Sequence, residues 1–200
     1  MEHILEYLKN AYHPLSILLY GSYADGTNDQ TSDFDCMLIV SEKNKDHDDS
    51  TIDGVRLDCF LYTEAEAQNK PLDTFLPVYH SKIITDNGIG ADLKRRVCEY
   101  IEANTATPDG EKEFLTSWIR KTIQRIAKND DDGNMRAVSL LAESLADYCQ
   151  LRDMFYFGSK KTIRYLKEND ARGDALFHDA LTRRSNDAII KWAEYIIKKD

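Results

Sequence analysis

Two apolar runs, Ile17–Tyr20 and Cys36–Val40, flank a polar, turn-rich stretch, and that interval constrains the fold more than any other part of the 200 residues. The first run reads as a strand and stops abruptly at Gly21-Ser22. Ten residues separate Ser22 from Asp33, and Asp33-Phe34-Asp35 opens the second strand pattern. Residues two apart in a strand point to the same side, so Asp33 and Asp35 aim at one point while Phe34, Cys36 and Leu38 face away. Two carboxylates so placed repel each other, and a divalent cation relieves such a pair. A Gly-Ser corner that opens a helix offers free backbone N–H groups and a hydroxyl, which suit phosphate oxygens. Metal and phosphate together point to nucleotide chemistry.

A third strand pattern, Val55 to Tyr62, follows the same logic. Val55, Leu57, Cys59 and Leu61 fall on one side, and Arg56, Asp58, Phe60 and Tyr62 on the other. An aspartate inside an apolar strand is costly unless it is paired or ligates a metal. A salt bridge from Asp58 to Arg56 or to a neighbour is the alternative to metal ligation. With Asp58 on the same side as Asp33 and Asp35, Cys59 and Cys36 both fall on the opposite, core side.

Composition narrows the class. No stretch approaches eighteen apolar residues, so no membrane span is expected. The start, MEHILEYLKNAYH, is amphipathic and acidic, unlike a signal peptide. Four cysteines (Cys36, Cys59, Cys98, Cys149) show neither C-x-x-C pairing nor ligand spacing, which fits small core residues in a reducing cytoplasm. Charge is uneven: residues 1–110 carry 9 Lys/Arg against 20 Asp/Glu, and residues 111–200 carry 17 against 15. The acidic first half argues against a nucleic-acid surface, which needs clustered Lys and Arg. It would instead repel a triphosphate unless cations were bound, and would attract a polycationic acceptor.

Along the chain, residues 2–11 read as a helix that Pro14 ends, followed by a strand at 16–20, a short helix from Ser22 to Asp25 and a strand at 34–40. SEKNKDHDDSTIDG reads as a charged, mobile loop. After the third strand, TEAEAQNKPLDTFLPVYH reads as a helix broken at Pro71 and Pro77, Ser81–Thr85 as a fourth strand, and Leu93–Ile101 as a helix. ANTATPDG (103–110) is the best linker, setting a first domain at 1–104 and a second at 111–200. No proline follows Pro108, and glycines 110, 133, 158 and 173 cut the rest into four helix-length pieces, 111–128, 134–157, 159–169 and 174–198. Val138, Leu141, Leu145, Tyr148 and Cys149 share one stripe of a packed bundle. The fold class is therefore α+β, a mixed sheet domain followed by an all-α helical bundle.

GSYADGTNDQTSDFD resembles the Gly-Ser…Asp-x-Asp signature of the DNA polymerase β nucleotidyltransferase superfamily, including Gly26 and the Ser32 that precedes the first aspartate. It is most similar to the small bacterial members that resemble antibiotic nucleotidyltransferases, with one catalytic and one helical domain. The resemblance implies an adenylyltransferase-like enzyme that moves a nucleotidyl group, AMP from ATP, to a hydroxyl of a small molecule such as an aminoglycoside or lincosamide. That would make it a cytoplasmic, antibiotic-resistance type of activity, carried by a monomer or homodimer without a nucleic-acid or membrane partner. It implies two Mg²⁺ ions, about 3.5–4 Å apart in such reactions, on Asp33 and Asp35, with Asp58 as third carboxylate on the acceptor side. Gly21 and Ser22 would hold the β- and γ-phosphates, with Arg56, or a lysine such as Lys82, steadying the triphosphate. In members of the kanamycin nucleotidyltransferase kind a glutamate of the helical domain is the general base. Here that is Glu143 in LLAESLADY, sharing a polar face with Asp147 and Gln150, although Asp147 stands where that pattern has a lysine. Asp58 is the other candidate base. Two rival readings stand beside this one: an enzyme that AMPylates and so regulates a partner protein, and a nucleotide-binding module without catalysis.

Overall fold

A computed structural model describes residues 1–198. The chain forms two compact units, Met1–Ile101 and Glu102–Asp200, each with its own apolar core.

The first unit opens with helix α1 (Glu2–Tyr12), whose Ile4 and Leu8 are buried, and which ends at His13 in a left-handed conformation just before Pro14. Strand β1 (Ser16–Leu19) and the short helix α2 (Gly21–Asp25) follow, and then strand β2 (Phe34–Val40). Two short strands, β3 (His47–Asp48) and β4 (Thr51–Ile52), precede the long strand β5 (Val55–Thr63). Helix α3 (Glu64–Asn69), a 3₁₀ helix (Leu72–His80), strand β6 (Lys82–Thr85) and helix α4 (Ile89–Ala103) complete it. The sheet order is β3-β5-β2-β1-β6, with β4 paired to β5. Only β2 and β5 run parallel; the other pairs are antiparallel, so the sheet is mixed.

One face of this sheet holds Ile17, Leu19, Phe34, Cys36, Leu38, Leu57, Cys59 and Leu61 in a single core with α1. The period of two predicted for β2 and β5 is realised: Cys36 pairs with Cys59, while Asp35 pairs with Asp58 on the reverse face. All four cysteines are free, and the Cys36 and Cys59 thiols, 2.7 Å apart, behave as core residues. Burial, followed by the neighbouring Cys59, pushes the Cys36 thiol up.

The stretch read as a mobile loop is instead structured. Asp48 is fully buried and accepts hydrogen bonds from Tyr7 (3.2 Å), Tyr12 (2.5 Å) and the Ser50 hydroxyl (2.6 Å), with Lys45 at 3.0 Å. Burial alone would raise this carboxyl. The hydrogen bonds from Ser50 and Tyr12 and the Lys45 ammonium override it and hold the group well below the usual carboxylate range. The adjoining turn, Ile52-Asp53-Gly54-Val55, joins β4 to β5 with φ positive at both central residues (51° and 81°), as a type I′ hairpin requires. Asp-Gly is the expected dipeptide there, so part of the signal was in the sequence. Pro77 does not break its segment either, because it lies inside the 3₁₀ helix.

The second unit is helical: α5 (Asp109–Ile126), α6 (Asp131–Leu151), α7 (Ser159–Asn169), α8 (Ala171–Arg183) and α9 (Asn186–Ile196). Among the described residues, five helices thus replace the four expected. Gly173 is not a break: it sits in the first turn of α8, its N–H donating to the N-capping Asp170 (2.8 Å), and a Cβ there would collide with that carboxylate. The unpredicted break is at Arg184, in the left-handed conformation, followed by Ser185, which caps α9 through Ala188 N–H. Trp192 is fully buried and donates to Ser144 (2.9 Å), with Tyr148, Phe177 and Tyr195 rings around it. Leu145, Tyr148 and Cys149 are core as expected, whereas Val138 is 63% exposed. Among the described residues no helix is long and apolar enough to cross a membrane.

Candidate active site

The site is built from the two parallel strands. Their register sets Asp35 directly opposite Asp58, so two half-buried carboxylates from adjacent strands stand side by side on one face of the sheet. Asp33 lies just before β2 and is exposed. Among the described residues no three His, Cys, Asp or Glu side chains converge into a metal cage. That donor set suits a cation that takes only a few protein carboxylates and fills its shell with water and phosphate oxygens, as Mg²⁺ does.

Gly21 closes one side. Its φ is +66°, and a Cβ built on it would run into the Asp35 carboxylate. The turn between β1 and α2 therefore brings bare backbone against the acid, a close approach that only glycine permits. Ser22, next in line, is buried at 8% exposure, and Tyr20 N–H donates to Asp35 carbonyl oxygen at 3.0 Å, fixing the corner to the strand. Gly26, φ +73°, ends α2.

Arg56 shares the face of Asp58, as its parity predicts, but it is exposed, and its guanidinium lies 3.9 Å from Asp49. Arg56 is not the partner of Asp58, but the other half of that reading, a pairing with a neighbour, is met. The partner of Asp58 is instead His47, whose Nε2 lies 2.7 Å from Asp58 Oδ1. No metal-ligand spacing surrounds His47 in the sequence, and only the pairing of β3 with β5 brings it to the site. Lys82 sits opposite Leu19, which is opposite Cys36, so the register assigns it to the other face of the sheet.

The remaining candidates belong to the second unit. Glu143 is exposed on α6. Its expected companion Asp147, one turn on, is only 9% exposed, and its Oδ2 has no hydrogen-bond partner. Burial, and secondarily the charge of Glu143, raises the Asp147 carboxyl to about 6. The polar face expected on α6 is thus part solvated and part buried.

Comparison with curated proteins finds no matching sequence. Residues 2–72 match the family model described as Polymerase beta, Nucleotidyltransferase, a span that holds Gly21, Ser22, Asp33, Asp35 and Asp58. This segment, with its glycine corner and its facing carboxylates, is a nucleotidyltransferase domain of the DNA polymerase β superfamily.

Proposed function

We propose that the protein transfers AMP from ATP to a hydroxyl of a small molecule, with an aminoglycoside or lincosamide as the acceptor class. The observation that carries this reading is the rung formed by Asp35 and Asp58, set against the bare backbone of Gly21. Two acids and an open phosphate corner on one face are what nucleotidyl transfer needs from a protein. Asp33, Asp35 and Asp58 are the residues that would hold Mg²⁺. Bound there, the ions would neutralise the triphosphate and stabilise the attacking and leaving oxygens.

The chain's own residues divide the rest of the work. Gly21 and Ser22 receive the β- and γ-phosphates, which fixes the α-phosphorus in front of the carboxylates. The acceptor oxygen forms a bond to that phosphorus as the bond to pyrophosphate breaks, and its proton passes to a base. Glu143, exposed on α6, is the base we assign, with Asp58 as the second candidate. The acidic first half of the sequence draws in polycationic acceptors, which favours aminoglycosides.

The test is incubation of the full chain with α-labelled ATP, Mg²⁺ and a panel of aminoglycosides and lincosamides, with Asp35→Ala as control. Label should move to an antibiotic in the wild type, and transfer should fall by orders of magnitude in the variant. Label on a co-purified protein instead of any antibiotic would favour the AMPylating reading. Equal transfer by a folded Asp35→Ala protein would remove the site from consideration.

A further inference from the structure

We propose that His47 is a positioning residue: its ring fixes the rotation of the Asp58 carboxylate, so that the acid meets a metal already oriented. This inference rests on the reading of Asp58 as a metal-facing carboxylate. An ionised carboxylate has no proton to give, so His47 Nε2–H is the donor to Asp58 Oδ1 at 2.7 Å. The bond turns Oδ1 toward β3 and fixes the carboxylate's rotation, so that Oδ2, which makes no hydrogen bond to the described residues, is the oxygen with both lone pairs open. Losing a group that orients a metal ligand in this way typically costs about 10–100-fold in metal affinity.

Three observations separate this role from mere fastening of the short strand β3. First, β3 is already anchored by Asp48, a fully buried carboxylate with four polar partners drawn from α1 and the loop itself. Second, the two side chains are 35% and 42% exposed, so water would satisfy both polar groups if the bond were absent. Third, the ring is held from a second direction: His47 pairs with Phe60 across the strands, with ring centroids 4.6 Å apart. The imidazole is therefore fixed by packing and pairing, and its N–H is delivered to Asp58 by the diagonal offset of neighbouring strands. A histidine that only filled space there would need no donor at that point.

The experiment compares His47→Phe, which keeps the ring contact with Phe60 and removes the donor, with His47→Gln, which keeps a donor at about the Nε2 position. Mn²⁺ binding to the full chain with a non-hydrolysable ATP analogue is measured by electron paramagnetic resonance, with Asp58→Asn as reference. Melting temperature is followed throughout. We expect His47→Phe to weaken Mn²⁺ by roughly 10–100-fold, His47→Gln to stay within about threefold of wild type, and both to melt near wild type. In an Asp58→Asn background the phenylalanine substitution should have no further effect, since its target is gone. Should His47→Phe not fold, His47→Asn, whose shorter amide cannot reach Oδ1, replaces it. Wild-type affinity in His47→Phe, together with a loss in Asp58→Asn, overturns the positioning role and leaves the metal reading standing. Wild-type affinity in Asp58→Asn overturns both.

Discussion

Single side chains set opposite pH responses in the two units. Asp48 is buried with partners that favour its charge, so its folded pKa lies below the unfolded value. Its contribution is fully present above about pH 5 and lost as pH falls below about 4, worth ~1–3 kcal/mol. Asp147 is buried without a partner, and its folded pKa of about 6 lies above the unfolded value. The folded state then binds more protons, and stability is lost as pH rises from about 4 through about 6. Thermal melting of wild type, Asp48→Asn and Asp147→Asn between pH 3 and 8 checks both signs. Asp48→Asn should be the less stable protein at pH 7 and approach wild type at pH 3. Asp147→Asn should match wild type near pH 4 and exceed it by about 1–2 kcal/mol at pH 7.5; a less stable Asp147→Asn at pH 7.5 would mean the carboxylate has a partner. Gly21 offers a third residue-level prediction. Gly21→Val places a branched side chain at φ +66° and into Asp35, so ATP–Mg²⁺ binding should fall at least tenfold by titration calorimetry. Unchanged affinity would place the nucleotide elsewhere.

Elements were legible in the sequence where local pattern alone decides them. The alternation in β2 and β5 gave the correct faces for Asp35, Cys36, Asp58 and Cys59, because a strand's period of two is intrinsic to its backbone. The corner at Gly21-Ser22 was legible for the same reason. Strand β3 was not, because its stability comes from Tyr7 and Tyr12, far away in α1, closing on Asp48, and a charged pair of residues carries no strand signature. His47 was invisible at the site as a direct consequence. In the second unit, Gly173 follows a capping aspartate by three residues and belongs to the first turn of the helix it was expected to precede. The true break, at Arg184-Ser185, contains neither glycine nor proline. Helix α6 carries the prediction that belongs at this scale. If Glu143 is the base, Glu143→Gln should lower kcat about 10²–10⁴-fold with ATP affinity nearly unchanged, measured by steady-state kinetics beside calorimetry. A change within about twofold would mark it as a solvated helix residue.

At the scale of the molecule, the two units differ in architecture, core and optical properties. The sheet unit has no tryptophan, while Trp118 and Trp192 both lie in the helical unit. Tryptophan emission therefore reports the helical unit alone, and Trp192, fully buried and bonded to Ser144, is the probe of its core. Leu38→Ala, a truncation in the sheet core, should cost about 2–5 kcal/mol in that unit. Followed by urea titration, it should lower the far-ultraviolet dichroism transition while the tryptophan midpoint stays at the wild-type concentration. Coincident shifts in both signals would show that the units unfold as one.

The rung of acids and the rung of thiols are consecutive along the same two parallel strands, and this makes the acidic face a matter of odd and even numbers. One residue inserted within β5 ahead of Asp58 would turn the acid into the apolar layer and swing Cys59 out onto the acidic face, reversing every later side chain of the strand. One residue inserted between Val40 and Lys43 would alter only the length of a connection. Tolerance to insertion along residues 34–63 should therefore follow parity rather than distance from the site. A lineage of such chains can lengthen the connection just after β2, but can change its strands only in steps of two.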